Sequence, residues 1–150
     1  MPTTANGFTY PAATATPDVP RDIQQLTTDL ESKFGSVLAA PTSYTPTLTN
    51  VTGGTVLGRH WRIGKIGFID IEITAGTATA VAAITASLPA GWTADATVGS
   101  AIAALRNTTT VSARVLPGGT VVNVTQADGT GFPASPALTS LRITGMVFLA

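Results

Sequence analysis

The stretch TVLGRHWRIGKIGFIDIEIT, residues 55 to 74, constrains the fold more than any other part of the chain. Two alternating runs flank Gly64-Lys65, and a glycine at the first central position suits a two-residue type II′ turn. Such a loop sets the pairing: Ile63 opposite Ile66, Trp61 opposite Phe68, and Arg59 opposite Asp70. One face then carries the aromatic pair, the other Ile69, Ile71 and Ile73. A bulge or a three-residue loop would break this register. Trp61 in such a hairpin reads as a core side chain.

From Tyr44 onward the remaining signals are also strand and turn. TATAVAAITASLP reads as a strand ending at Pro89, with PAGW as its turn. VGSAIAALRN is ambiguous between a short helix and an alanine-rich strand, and is taken as strand. TVSARVLPGGTVVNVT is a second hairpin, because Pro117 presets a turn that Gly118 and Gly119 can complete. QADGTGFPASPA is a long loop, and LTSLRITGMVFLA a closing strand with Leu141, Ile143 and Val147 on one side. Short strands separated by turn signals indicate an antiparallel sandwich or barrel. The expectation is a mainly β chain, with a jelly-roll-like antiparallel β-sandwich head over residues 44–150.

The front of the chain differs. Residues 1–18 hold Pro2, Pro11 and Pro17 among Thr, Ala and Gly. Proline disfavours helix at the residue before it and supplies no amide donor, so this segment reads as an extended attachment arm. A helix is expected over 19–35. Pro20 suits the first turn, Asp22 complements the positive helix end, and Gly35 is placed for a left-handed cap. Asp29 and Lys33 stand at i,i+4 on its polar side. Ile23, Leu26, Leu30 and Phe34 form an apolar stripe. A helix this short is marginal in water when isolated, so the stripe needs a partner, either the β domain or further copies of itself. The proline arm before it and the linker at 36–43 favour self-association.

Chemistry is sparse. Only 11% of residues are charged, against roughly 25% in typical globular proteins. So few charges give poor solubility to an isolated monomer and suit a chain that buries surface in an assembly. A formal net charge of zero leaves no field for nucleic acid or an anionic membrane. No run of about 20 apolar residues is present for membrane insertion. MPTTANGFTY lacks the basic and apolar regions of a signal peptide. The absence of cysteine removes disulfides, thiol catalysis and cysteine metal sites. His60 has no nucleophile-elbow pattern beside it. Asp70 and Glu72 can share a strand face, but with Arg59 opposite they read as surface ion pairing. DGTG at Asp128 has too few carboxylates for a calcium loop and reads as a turn. No catalytic, cofactor-binding or metal residue is assigned, and the expectation is a protein that is not an enzyme.

Two stretches resemble a known class. NGFTYPAATATPDVPRDIQQLTTDLESKFG is similar to the N-terminal pattern of small tail and fibre-type virion proteins of bacteriophages. The matching positions are Asn6, Gly7, Tyr10, Pro11, Pro17, Asp18 and Pro20. WRIGKIGFIDIEITAG (Trp61 to Gly76) with SLPAGW (through Leu88 to Trp92) resembles the β head of receptor-binding or fibre-tip proteins. The resemblance implies a homotrimeric structural protein located in the virion and assembled in the host cytoplasm. Tyr10, Pro11 and Pro17 would attach the arm to other virion proteins. Ile23, Leu26, Leu30 and Phe34 would meet in a three-fold helix bundle. The β head would face outward toward a host-surface glycan or protein, with Trp92 and Phe132 as candidate ligand contacts. A trimeric capsid fibre or decoration protein is the alternative, and a glycan-active enzyme a remote third.

Overall fold

A computed structural model describes residues 2–4, 9–10, 18–35, 40–79, 81–133 and 137–150. The chain divides into two compact units, residues 1–39 and 40–150. The first contains helix α1, Val19–Phe34. Asp18 caps it, its side chain accepting from the Arg21 amide at 3.3 Å, which satisfies one of the free amides of the first turn. Gly35 does not take the expected left-handed conformation. It stays right-handed at φ −56, ψ −35, and its N–H donates to the Glu31 carbonyl.

The described arm residues pair with one another. Thr3 bridges Thr9 in antiparallel sense, and the Tyr10 amide donates to the Pro2 carbonyl at 3.0 Å. Thr9 also bonds to α1, its amide reaching Asp29 Oδ2 at 2.7 Å and its hydroxyl donating to the same oxygen. Asp29 Oδ1 accepts from Gln25 Nε2 at 3.1 Å. Asp29 thus bonds to both the arm and its own helix; the side chain of Lys33, its expected i,i+4 partner, lies outside what the structure describes.

The second unit is mainly β. Its strands are β1 (Thr42–Tyr44), β2 (Leu48–Thr49), β3 (Val51–Thr52), β4 (Thr55–Ile63), β5 (Ile66–Ala78), β6 (Ile84–Ser87), β7 (Ser100–Arg106), β8 (Thr109–Val115), β9 (Val121–Thr125) and β10 (Ala137–Phe148). All pairings are antiparallel. They run in one sheet ordered β1-β4-β5-β10-β7-β8-β9-β6-β2, with β3 on β5. The expected jelly-roll-like sandwich is not confirmed: pairing gives one curled sheet, not two facing ones. Residues 48–52 explain the curl. Leu48 pairs with Ala86 of β6, Asn50 turns at φ 63, and Val51 pairs with Ala78 of β5. The segment thereby links the β6 end of the sheet back to β5.

The expected hairpin register is present throughout: Ile63↔Ile66, Trp61↔Phe68 and Arg59↔Asp70. Gly64 takes φ 58 while Lys65 keeps a negative φ, as a type II′ turn requires. The ambiguous segment near residue 100 is strand β7. Residues 109–125 form the second hairpin, with Val115 opposite Val122. Strand alternation sends Ile69, Ile71 and Ile73 of β5 and Leu141, Ile143 and Val147 of β10 to the inside, where all six are fully buried. Each such side chain contributes on the order of 1.5–3 kcal/mol. Gly145 lets β10 and β7 approach closely, since a Cβ there would stand 3.1 Å from Ile102.

Candidate functional site

The outer face of β4, β5 and β10 carries the most distinctive exposed surface. Register places Trp61, Phe68 and Met146 in one row and Ile63, Ile66 and Phe148 in the next. Trp61 and Phe68 are stacked, with centroids 5.1 Å apart and planes 7° from parallel. Met146 is 49% exposed and Phe148 43%. Trp61 is therefore a half-buried member of an outer apolar row, not the core residue expected.

Polar rows border this surface. Asp70 lies opposite Arg59 as the register requires, but its ion pair goes to Arg142, Nε to Oδ1 at 3.1 Å. Arg142 Nη2 adds a contact to Oδ2 at 3.3 Å, and Thr144 Oγ1 donates to Oδ1 at 2.8 Å. Partial burial works to raise the Asp70 pKa, yet the Arg142 and Thr144 hydrogen bonds outweigh it and hold the carboxyl below its usual range. Asp70 and Glu72 do share a face, as expected. With Asp70 committed to Arg142, the pair has the form of surface ion pairing and not of carboxylates across a cleft.

Both residues expected to touch a ligand lie inside. Trp92 is 8% exposed. Its ring occupies the space over Gly67, where an added Cβ would come within 2.6 Å of Trp92 Cη2. His60 meets Trp92 edge-on at 5.1 Å, and Tyr44 meets His60 at 5.3 Å. Tyr44 in turn lies over Gly58, where a Cβ would stand 2.6 Å from its ring. Glycines on the inner face of β4 and β5 thus seat an aromatic ladder with the sole histidine at its centre. Burial lowers the His60 pKa and raises that of Tyr44 well above its usual value.

Comparison with protein-family models, characterised proteins and solved structures gives no match.

Phe132 is fully buried. It forms part of the lining of a cleft of about 400 Å³ between the β7–β8 turn and the Gln126–Phe132 loop. Arg106 lies over its ring, Cζ 5.1 Å from the centroid. The ring therefore reaches the cleft through Arg106. In the same loop Asp128 Oδ1 accepts from the Thr130 amide at 2.9 Å and hydroxyl at 2.6 Å, the turn expected of DGTG. Sequence reasoning missed Arg106; an arginine closing a strand before Asn-Thr-Thr is a weak signal without the loop that folds over it.

On α1 the stripe is open: Ile23, Leu26, Leu30 and Phe34 are all exposed, from 42% to 59%. Tyr10 is also exposed, and with Thr9, Val19, Asp22, Ile23 and Leu26 it lines a shallow apolar hollow. Pro11 and Pro17, the other attachment candidates, lie outside the described residues. Among the described residues, no helix is long and apolar enough to cross a membrane and no three metal-ligating side chains cluster.

Proposed function

We propose that the chain is a homotrimeric bacteriophage virion structural protein of the tail-tip, fibre or spike class. Its arm attaches it to other virion proteins, and its β head is presented to the host surface. The observation that carries the oligomer is the open stripe on α1. Four large apolar side chains on a sixteen-residue helix are exposed within one chain, and a helix of this length gains most of its stability from packing. Three copies packed about an axis bury such a stripe. The sequence resemblance supplies the virion setting, and the low charge content suits an assembled state. The outer apolar face, where half-buried Trp61 and Phe68 adjoin exposed Met146, Ile63, Ile66 and Phe148, supports a presented head, since contiguous exposed apolar surface marks interaction sites.

The decoration reading draws on a different observation: Trp92 and Phe132 are withdrawn from the surface, which removes the two contacts first expected of a receptor site. Mass measurement in solution tests the trimer, and a stable monomer at micromolar concentration rejects it. Locating the protein on the tail or on the capsid of an intact virion separates the two readings.

A further inference from the structure

The cleft above Phe132 has a volume at the small end of the range for ligand pockets. Arg106 is the cation of its lining. The buried Nε of that arginine has no hydrogen-bond partner among the described residues, a costly state for a charged group. Its guanidinium rests instead on the Phe132 ring, which is anchored by the Phe132 amide donating to the Ala82 carbonyl at 3.0 Å.

The neighbouring polar groups retain a defined hydrogen-bonding capacity. Asn107 Oδ1 accepts from the Ser140 amide at 3.1 Å, which leaves its amide protons as donors. Gln126 Nε2 donates to Thr130 Oγ1 at 3.0 Å and to the Gly131 carbonyl at 2.8 Å, which leaves Oε1 as an acceptor. Asp128 uses Oδ1 on Thr130, which leaves Oδ2. Asn107 holds φ 54 in the two-residue β7–β8 turn, a conformation asparagine readily takes there.

From this arrangement we infer that the cleft binds a carboxylate-bearing sugar of the uronic acid class. The carboxylate pairs with Arg106 and the Asn107 amide, while ring hydroxyls donate to Asp128 and Gln126. A neutral sugar leaves the Arg106 guanidinium in the cleft lining without a counter-charge. Inorganic phosphate, up to doubly charged at neutral pH, sets that charge against the Asp128 carboxylate and cannot hold its anionic oxygens and its few hydroxyl donors far enough apart to serve both ends of the cleft. A ligand with an anionic group and separate hydroxyl donors meets both requirements. This assignment deepens the host-surface reading and rests on it for its biological sense, whereas binding itself is a property of one chain.

The test is an NMR titration of the full-length protein with sodium glucuronate, glucose and inorganic phosphate. Glucuronate is expected to bind in the millimolar range or tighter, moving the Arg106 Nε–H and Asn107 side-chain amide resonances. Glucose and phosphate are expected to bind at least about tenfold more weakly. Arg106→Gln should lose at least about tenfold in glucuronate affinity. Phe132→Leu should shift the Arg106 Nε–H resonance by removing its ring current, and weaken glucuronate; an unmoved resonance refutes the platform. Should Arg106→Gln fail to fold, Asp128→Asn on the exposed loop should strengthen phosphate binding about tenfold by removing the repelling charge. The inference is overturned by no saturable glucuronate shift up to about 10 mM, by equal binding of glucose or phosphate, by undiminished binding to folded Arg106→Gln, or by unchanged phosphate binding to Asp128→Asn. A monomer that binds glucuronate removes only the trimer reading, and a trimer indifferent to glucuronate removes only this one.

Discussion

Gly67→Ala is the sharpest probe of how the head is built. Gly67 lies in β5 with an ordinary strand conformation, so alanine meets no backbone obstacle there. On propensity alone the change is favourable by roughly 0.5–1 kcal/mol, because glycine in a strand interior loses the most conformational freedom on folding. The structure reverses the sign. The new Cβ would stand 2.6 Å from Trp92 Cη2 and 2.9 Å from Cε3, far inside ordinary van der Waals contact. Trp92 cannot swing away freely, since its edge abuts His60 and its amide donates to the Pro89 carbonyl at 3.0 Å. Overpacking of this kind costs about 1–3 kcal/mol, and partial exposure of a displaced indole adds to it. We expect a net loss of about 2–3 kcal/mol, a fall in Tm on the order of 10 °C for a unit of this size. Urea unfolding of Gly67→Ala, Trp92→Leu and the double variant measures the coupling. The glycine substitution should cost far less once the indole is gone, with an interaction energy of at least about 1 kcal/mol. Stabilisation by Gly67→Ala, or additive costs in the double variant, would refute the seating of Trp92 on Gly67.

Three further predictions concern other parts of the molecule. Leu26→Asp with Leu30→Asp should convert a trimer to monomers in light scattering while the head unfolds at an unchanged temperature; a variant that stays trimeric moves the assembly contacts to the heads. Asp70 has a folded pKa below its unfolded value of 3.8, so its contribution is present above that pH and is lost as pH falls through the lower folded value. Because Arg142 is largely exposed, the amount is no more than about 1 kcal/mol, and Asp70→Asn should remove that part of the acid dependence in urea unfolding. His60 has a folded pKa below 6.5, so its contribution is full above that pH and declines as pH falls through the folded value. His60→Phe should flatten the stability profile between about pH 7 and about pH 5, and an unchanged profile would place the histidine outside the ladder.

Much of the fold was legible because local rules govern it. A two-residue turn leaves a hairpin no freedom of register, so Gly64-Lys65 set nine cross-strand pairs. The 3.6-residue stripe and Pro20 located α1 for similar reasons. The curl of the sheet was not legible. It depends on Leu48–Thr52 changing partners at Asn50, and pairing between strands distant in sequence leaves no periodic trace. Gly35 shows a related limit: glycine permits a left-handed cap without compelling one. The Arg106 cleft was invisible because it joins a turn at residue 107 to a loop near 130.

The two tryptophans exchanged their expected places, and the reason was partly written in the hairpin. Once register is known, each face of β4 and β5 has a fixed membership, and only the choice of inner face remains. One face holds Trp61 and Phe68 but also Arg59, Asp70 and Glu72; the other holds Ile69, Ile71 and Ile73 with Gly58, His60 and Gly67. Burying the aromatic face would desolvate three charges, at several kcal/mol each, whereas the isoleucine face carries one, Arg62 opposite Gly67, which lies exposed at the turn end and donates to the Gly64 carbonyl. That comparison sends Trp61 outward more firmly than its own hydrophobicity draws it in. The same face leaves gaps at Gly58 and Gly67, because glycine has no side chain to fill them. An interior packed to ordinary density must fill such gaps from elsewhere. Tyr44 and Trp92, each outside the hairpin, supply the rings. Glycines on the apolar face of a strand were therefore the sign that Trp92 comes inside, and the charges alternating with Trp61 were the sign that it stays out.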